Sequence, residues 1–135
     1  MTHTLLFAED DDEDWMLIQE YFEEGGSQDT LVRVKNGEEV IHYLSSHPNP
    51  DLIFLDLKMP KMHGHEALEK IRSNPTTNHI PVIVMTASKT EADVYESYRK
   101  GANSYLPKPV TDSAVELLSR YWGELVVLPK LRHTP

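Results

Sequence analysis

The run Asp51-Leu52-Ile53-Phe54-Leu55 ends on Asp56 and gives way at once to Leu57-Lys58-Met59-Pro60. No other feature constrains the fold as tightly. An unbroken apolar run of strand length is buried on both faces, as central parallel strands are. A carboxylate at its end then sits on the sheet edge where open α/β sheets bind ligands. A second run, Leu5-Leu6-Phe7-Ala8, finishes in the same manner, in Glu9-Asp10-Asp11-Asp12. Two such ends side by side gather negative charge, which demands a cation or a raised pKa. An acidic metal pocket is therefore the first expectation.

The remaining chain alternates strand and helix signals. Strands are expected at Thr4–Ala8, Thr30–Val34, Asp51–Leu55, Ile80–Met85 and Asn103–Leu106. Helices are expected at Glu13–Glu24, after an Asn36 cap, at Gly64–Ser73, at Thr90–Lys100, and from Thr111 to about Val126. Trp15, Ile18, Tyr21 and Phe22 recur at helical spacing, and Gly25-Gly26 stops their helix. Val40, Ile41 and Leu44 face inward on the second helix, and Ala67, Leu68 and Ile71 on the third. Five βα units predict an α/β fold, a (βα)5 doubly wound five-stranded parallel sheet. One domain over residues 1–128 and a short C-terminal tail, 129–135, account for the chain of 135 residues.

Composition narrows the partners. A net charge of −9 argues against binding nucleic acid through its phosphates. There is no cysteine, which removes disulfide and thiol chemistry. No apolar stretch approaches the roughly 20 residues that span a bilayer, and the start of the chain lacks a signal-peptide pattern. A cytoplasmic protein without membrane contact is expected. Seven histidines are scattered along the chain. His63 and His65 have no ligand-type partner at metal spacing and read as surface residues.

The chemistry concentrates at strand ends. Glu9 and Asp10 follow the first strand, Asp56 the third, Thr86-Ala87-Ser88 the fourth and Lys108-Pro109 the fifth. Carboxylates, a hydroxyl and an ammonium in one crevice suit a hard cation and a phosphoryl group. Mg²⁺ favours one or two carboxylates with waters and phosphate oxygens. Lysine serves phosphate as a point charge.

In this order and at these distances, the acidic pair, the lone Asp56, Thr86-Ala87 and Lys108-Pro109 resemble the receiver domain of two-component response regulators. The segments Asp56-Leu57-Lys58-Met59-Pro60-Lys61-Met62-His63-Gly64 and Lys100-Gly101-Ala102-Asn103-Ser104-Tyr105-Leu106-Pro107-Lys108-Pro109 carry the resemblance most specifically. It implies a flavodoxin-like, receiver-type fold with Asp56 as phosphoacceptor for a sensor histidine kinase. It implies Mg²⁺ held by Asp10, Asp56 and the backbone carbonyl of Lys58, with Glu9 acting through water. Lys108 is then the partner of the phosphoryl oxygens. Thr86 and Tyr105 are the switch pair, and Lys58 and Ser88 occupy positions that tune dephosphorylation. The chain departs from the commoner aspartate pair by carrying Glu9, and a frame pairing Asp10 with Asp11 is the alternative.

At the C-terminus, Val115, Leu118, Trp122, Leu125 and Val126 form an apolar stripe at helical spacing. Tyr121-Trp122, Leu128-Pro129 and the stretch Trp15-Met16-Leu17-Ile18-Gln19-Glu20 resemble the single-domain regulators of bacterial phytochrome histidine kinases. That resemblance implies a phytochrome kinase as partner. It also implies a homodimer through the last helix and tail, with Trp122, Leu125, Val126 and Leu128 as contacts.

Two other functions compete with a phosphorylated switch that catalyses only its own phosphorylation and dephosphorylation. A haloacid-dehalogenase-type phosphatase uses similar groups, but needs a second Asp two residues after its nucleophile, where Lys58 stands. A degenerate receiver acting as a phosphorylation-independent binding module would require loss of an acceptor or metal residue, and none is lost here; a phosphate-transfer intermediate or sink is the other alternative. The absence of effect from Asp56→Asn would mark the binding module.

Overall fold

Apolar runs become strands wherever the chain can bury them on both sides. The computed structural model describes residues 2–88 and 90–108. Its strands are β1 (Thr4–Ala8), β2 (Thr30–Val34), β3 (Leu52–Asp56), β4 (Val82–Thr86) and β5 (Ser104–Pro107). Between them run α1 (Asp12–Glu24), α2 (Gly37–Ser46), α3 (Gly64–Ser73) and α4 (Glu91–Arg99). The strands form one parallel sheet in the order β2-β1-β3-β4-β5. This is the flavodoxin-like arrangement, with its topological switch between β1 and β3. The predicted last helix, its apolar stripe, the proposed dimer residues Trp122, Leu125, Val126 and Leu128, and the tail lie outside the described residues.

Helices cover both faces. Leu6, Ala8, Ile53, Leu55, Val82 and Val84 pack on one side against Val40 of α2 and Ala67, Leu68 and Ile71 of α3. The alternate strand residues Leu5, Phe7, Phe54 and Met85 pack on the other against Ile18 and Phe22 of α1. Phe7 and Phe54 stack across β1 and β3 with centroids 4.4 Å apart and planes 2° apart. Period-two alternation thus sends neighbouring residues of one strand into two separate cores.

Helix starts follow their caps. The side chains of Asp11, Asn36 and Thr90 each accept from a backbone N–H three residues on. Three strands are shifted from expectation, β3 by one residue to Leu52–Asp56. β4 begins at Val82, not Ile80, because the Ile80 N–H closes a turn onto Thr77 O. β5 begins at Ser104, because Asn103 spends its N–H on Val82 O while its side-chain oxygen accepts from Val82 N and Arg72 Nη2. Arg72 also reaches Gly101 O, Asn78 O and Ile80 O, and so fastens α3 to the loops opposite the site.

Candidate functional site

Parallel register brings the strand ends to one edge. Ala8 pairs with Leu55, Asp56 with Met85, and Thr86 with Pro107. The next residue on each strand therefore emerges beside its neighbours. Carboxylate oxygens of Glu9, Asp10 and Asp56 lie within 4.8 Å of one another. Glu9 and Asp56 are buried and Asp10 is exposed. Asp11 is committed elsewhere, since its side chain caps α1 by accepting from Asp14 N. The residue pairing in this pocket is thus Glu9 with Asp10.

The loop carrying Glu9 is held from the edge strand. Glu9 N–H donates to Val34 O at 3.0 Å. Arg33 Nε donates to Glu9 O at 2.9 Å, and Arg33 Nη2 lies 2.8 Å from Asp12 Oδ1. The Arg33 guanidinium also sits 5.9 Å from the centre of the Trp15 ring. Both polar atoms of the Glu9 peptide are therefore anchored on β2. Sequence reading gave Arg33 no role, because it stands on a strand remote from the acidic run.

Lys108 closes the pocket. Its N–H continues the ladder to Thr86 O. Its ammonium lies 2.9 Å from Asp56 Oδ2 and 3.2 Å from Asp14 Oδ2, and it pairs with Glu9 Oε1. Burial pushes the Lys108 ammonium down, but hydrogen bonds to Asp56 and Glu9 outweigh it and hold the pKa well above the ordinary value. Burial pushes the Glu9 carboxyl up, with the Lys108 and Asp11 N–H contacts opposing. Asp56 Oδ1 accepts from Lys58 N at 3.2 Å.

The loop after β3 is shaped by close approach. Gly64 N–H donates to Leu57 O at 2.8 Å. A Cβ on Gly64 would lie 2.4 Å from Asp56 O and 2.7 Å from Leu57 Cα. Only glycine lets α3 begin this near the strand end. Lys61 adopts φ 68, a left-handed conformation uncommon for residues other than glycine.

Thr86 is fully buried, and its Oγ1 accepts from Ser88 N at 3.2 Å. Ser88 Oγ donates to Asp93 Oδ2, and that bond holds the Asp93 carboxyl below its ordinary range. Tyr105 donates its hydroxyl to Ser88 O. Thr86 and Tyr105 thus meet through Ser88. One expectation needs correcting. His63 is exposed, but its side chain caps α3 by accepting from His65 N. His65 is not a surface residue: it is half-buried, and Nε2 bonds Ser97 Oγ at 3.0 Å. The bond to Ser97 of α4 holds it there, and no local sequence signal reports that.

The donor set is all hard oxygen, two parts buried, with one cation placed against it. It fits a divalent cation such as Mg²⁺ and an anionic ligand drawn to Lys108. Among the described residues, no helix is long and apolar enough to cross a membrane.

Known proteins resemble this chain in sequence and fold. The sequence profile of the response regulator receiver domain matches residues 5–120. Response regulator Rcp1 of Synechocystis is 35% identical over 135 residues, covering 93% of this chain and 92% of that protein. The crystal structure of its Mn²⁺-bound form superposes with a TM-score of 0.85 at 34% identity, over 94% of this chain and 99% of the other. The phosphorylated cyanobacterial phytochrome response regulator RcpA gives 0.87 at 33% identity, over 96% and 100%. The bacteriophytochrome response regulator RtBRR gives 0.78 at 31% identity, over 100% and 85%.

Proposed function

Because the chain belongs to the response regulator receiver family, we propose that it is a signalling switch phosphorylated on Asp56 by a sensor histidine kinase. The observation that carries this reading is the Lys108 ammonium shared between Asp56 and Glu9, beside the Glu9–Asp10–Asp56 oxygen cluster.

An Asp56 carboxylate oxygen attacks the phosphorus of a phosphohistidine. A P–O bond forms and the P–N bond breaks. The electron pair of that bond returns to the imidazole nitrogen, and Asp56 becomes an acyl phosphate. Asp56 is suited to the attack because Lys108 and Lys58 N–H orient its two oxygens. Lys108 then turns to the phosphoryl oxygens as their counter-charge. Glu9, Asp10, Asp56 and the Lys58 carbonyl would hold Mg²⁺, which supplies charge neutralisation for the transferring group. The chain catalyses its own phosphorylation and dephosphorylation and acts on no other substrate.

Thr86 moves toward the new phosphoryl group, and Tyr105 follows into the space left. The kinase belongs to the phytochrome class, which the likeness to Rcp1, RcpA and RtBRR supports. The protein is cytoplasmic and does not bind nucleic acid, in keeping with its net charge of −9. It forms a homodimer through Trp122, Leu125, Val126 and Leu128 of the C-terminal region.

Intact mass after incubation with acetyl phosphate tests the core of this reading. One phosphoryl group is expected on the native chain with Mg²⁺, and none on Asp56→Asn or without the metal. If the native chain gains no adduct and binds no beryllofluoride, the phosphoacceptor reading is wrong.

A further inference from the structure

The phosphoacceptor chemistry uses Glu9, Asp10, Asp56 and Lys108, but beside Glu9 and Asp56 a third carboxylate reaches the same ammonium. Asp14 Oδ2 lies 3.2 Å from Lys108 Nζ across 94 residues of chain. Three acidic residues occupy the first turn of α1. Asp12 turns to Arg33, at 2.8 Å. Glu13 is exposed. Only Asp14 turns to the pocket, where Leu17, Ile18 and Lys108 line a small cavity beside it. Its own backbone N–H is already satisfied by Asp11. Among the described residues, the Asp14 carboxylate bonds the lysine and caps no helix.

We propose that Asp14 is a positioning residue for Lys108, holding the ammonium on the α1 side of the pocket and so limiting what it lends to the phosphoryl group. The inference rests on the phosphoacceptor reading given above. An ammonium has three N–H donors, and here three carboxylates surround it: Glu9, Asp14 and Asp56. Phosphorylation converts Asp56 into an acyl phosphate, and a bound cation engages Glu9. Asp14 is taken by neither. It remains a competitor for Lys108 at the stage when the phosphoryl oxygens need it.

The same charge acts on the cation with opposite sign. Asp14 adds negative potential near the oxygen cluster, which favours Mg²⁺. It also gives Lys108 a partner away from the metal, which eases the repulsion between the two cations. Removing the charge should therefore weaken Mg²⁺ binding while speeding phosphorylation once Mg²⁺ is saturating. A merely structural residue would move both quantities in one direction, or neither.

The experiment compares native protein, Asp14→Asn and Asp14→Glu. Calorimetry measures affinity for Mg²⁺ alone, and intact mass follows the initial rate with acetyl phosphate at saturating Mg²⁺. Asp14→Asn is expected to bind Mg²⁺ about three- to tenfold more weakly and to be phosphorylated about three- to tenfold faster, the scale of one partly screened charge. Asp14→Glu should return both toward native. If Asp14→Asn matches native in both, or loses in both together, the inference is overturned while the phosphoacceptor reading stands. A native chain that is not phosphorylated at all overturns both.

Discussion

The Tyr105 hydroxyl donates to the carbonyl of Ser88, the residue whose N–H reaches Thr86 Oγ1 and whose own hydroxyl reaches Asp93. The ring and the buried threonine are therefore tied through one backbone segment, with no direct bond between them. Moving Thr86 toward Asp56 has to release Ser88, and releasing Ser88 loosens Tyr105. Tyr105→Phe removes one hydrogen bond at a half-buried position, worth about 1 kcal/mol. Its thermal midpoint should fall by about 3–5 °C relative to native. A midpoint equal to native in calorimetry would show that the bond does not restrain the loop.

Lys108→Met replaces the ammonium with an apolar group of similar length and leaves Glu9 and Asp56 facing each other. Breaking a buried pair in this way typically costs about 3–5 kcal/mol. Because Lys108 is itself a third exposed or less, at 11%, most of that cost should be felt in metal-free protein. Mg²⁺ should then restore stability, and its affinity should exceed that for native protein, since no cation competes. Thermal unfolding with and without Mg²⁺ measures both, and an equal Mg²⁺ increment in the two proteins would contradict the account.

Gly64→Ala places a Cβ against the Asp56 carbonyl at a distance no real contact tolerates, so the loop must shift. Overpacking of this kind costs about 2–3 kcal/mol. The shift falls on Asp56, Leu57 and Lys58, so Mg²⁺ affinity should drop as well. Gly26→Ala is the control: φ is +74 there but nothing lies within 4 Å. It should cost about 1 kcal/mol of stability and leave Mg²⁺ affinity as in native protein. Equal affinity in Gly64→Ala would show that the loop absorbs the methyl group without moving the site.

Burial, reinforced by the nearby His63, pushes the His65 imidazole below its ordinary 6.5, against the opposing charges of Asp93 and Glu96. The unfolded chain therefore takes up this proton first as pH falls. Stability contributed by neutral His65 is present above 6.5 and declines as pH drops toward the depressed folded value. Protein with His65→Gln should show a shallower loss of thermal midpoint between about pH 7 and pH 5. Parallel curves for the two proteins would remove His65 from the pH response.

Much of this arrangement was legible in the chain. Leu52–Leu55 and Val82–Met85 announce central strands because both faces are buried, and Asn36 and Thr90 announce helix starts through their own side chains. The acidic cluster was legible because its members stand at strand ends. What escaped is set by register and by helix rotation, which local pattern does not encode. Arg33 reaches Glu9 O because Phe7 stands opposite it on β1. Ser97 is buried against His65 because α4 presents that side to α3. Asp14 is one of three acids in the first turn of α1, and its contact with Lys108 is a matter of where α1 enters the fold.

Lys108 joins Asp56 across 52 residues and Asp14 across 94. No contiguous fragment that ends before β5 contains both Asp56 and the ammonium that faces it. A chain short of its fifth strand would hold the acidic cluster without the ammonium set against it. The acids of the pocket and their counter-charge come together only with the completed sheet.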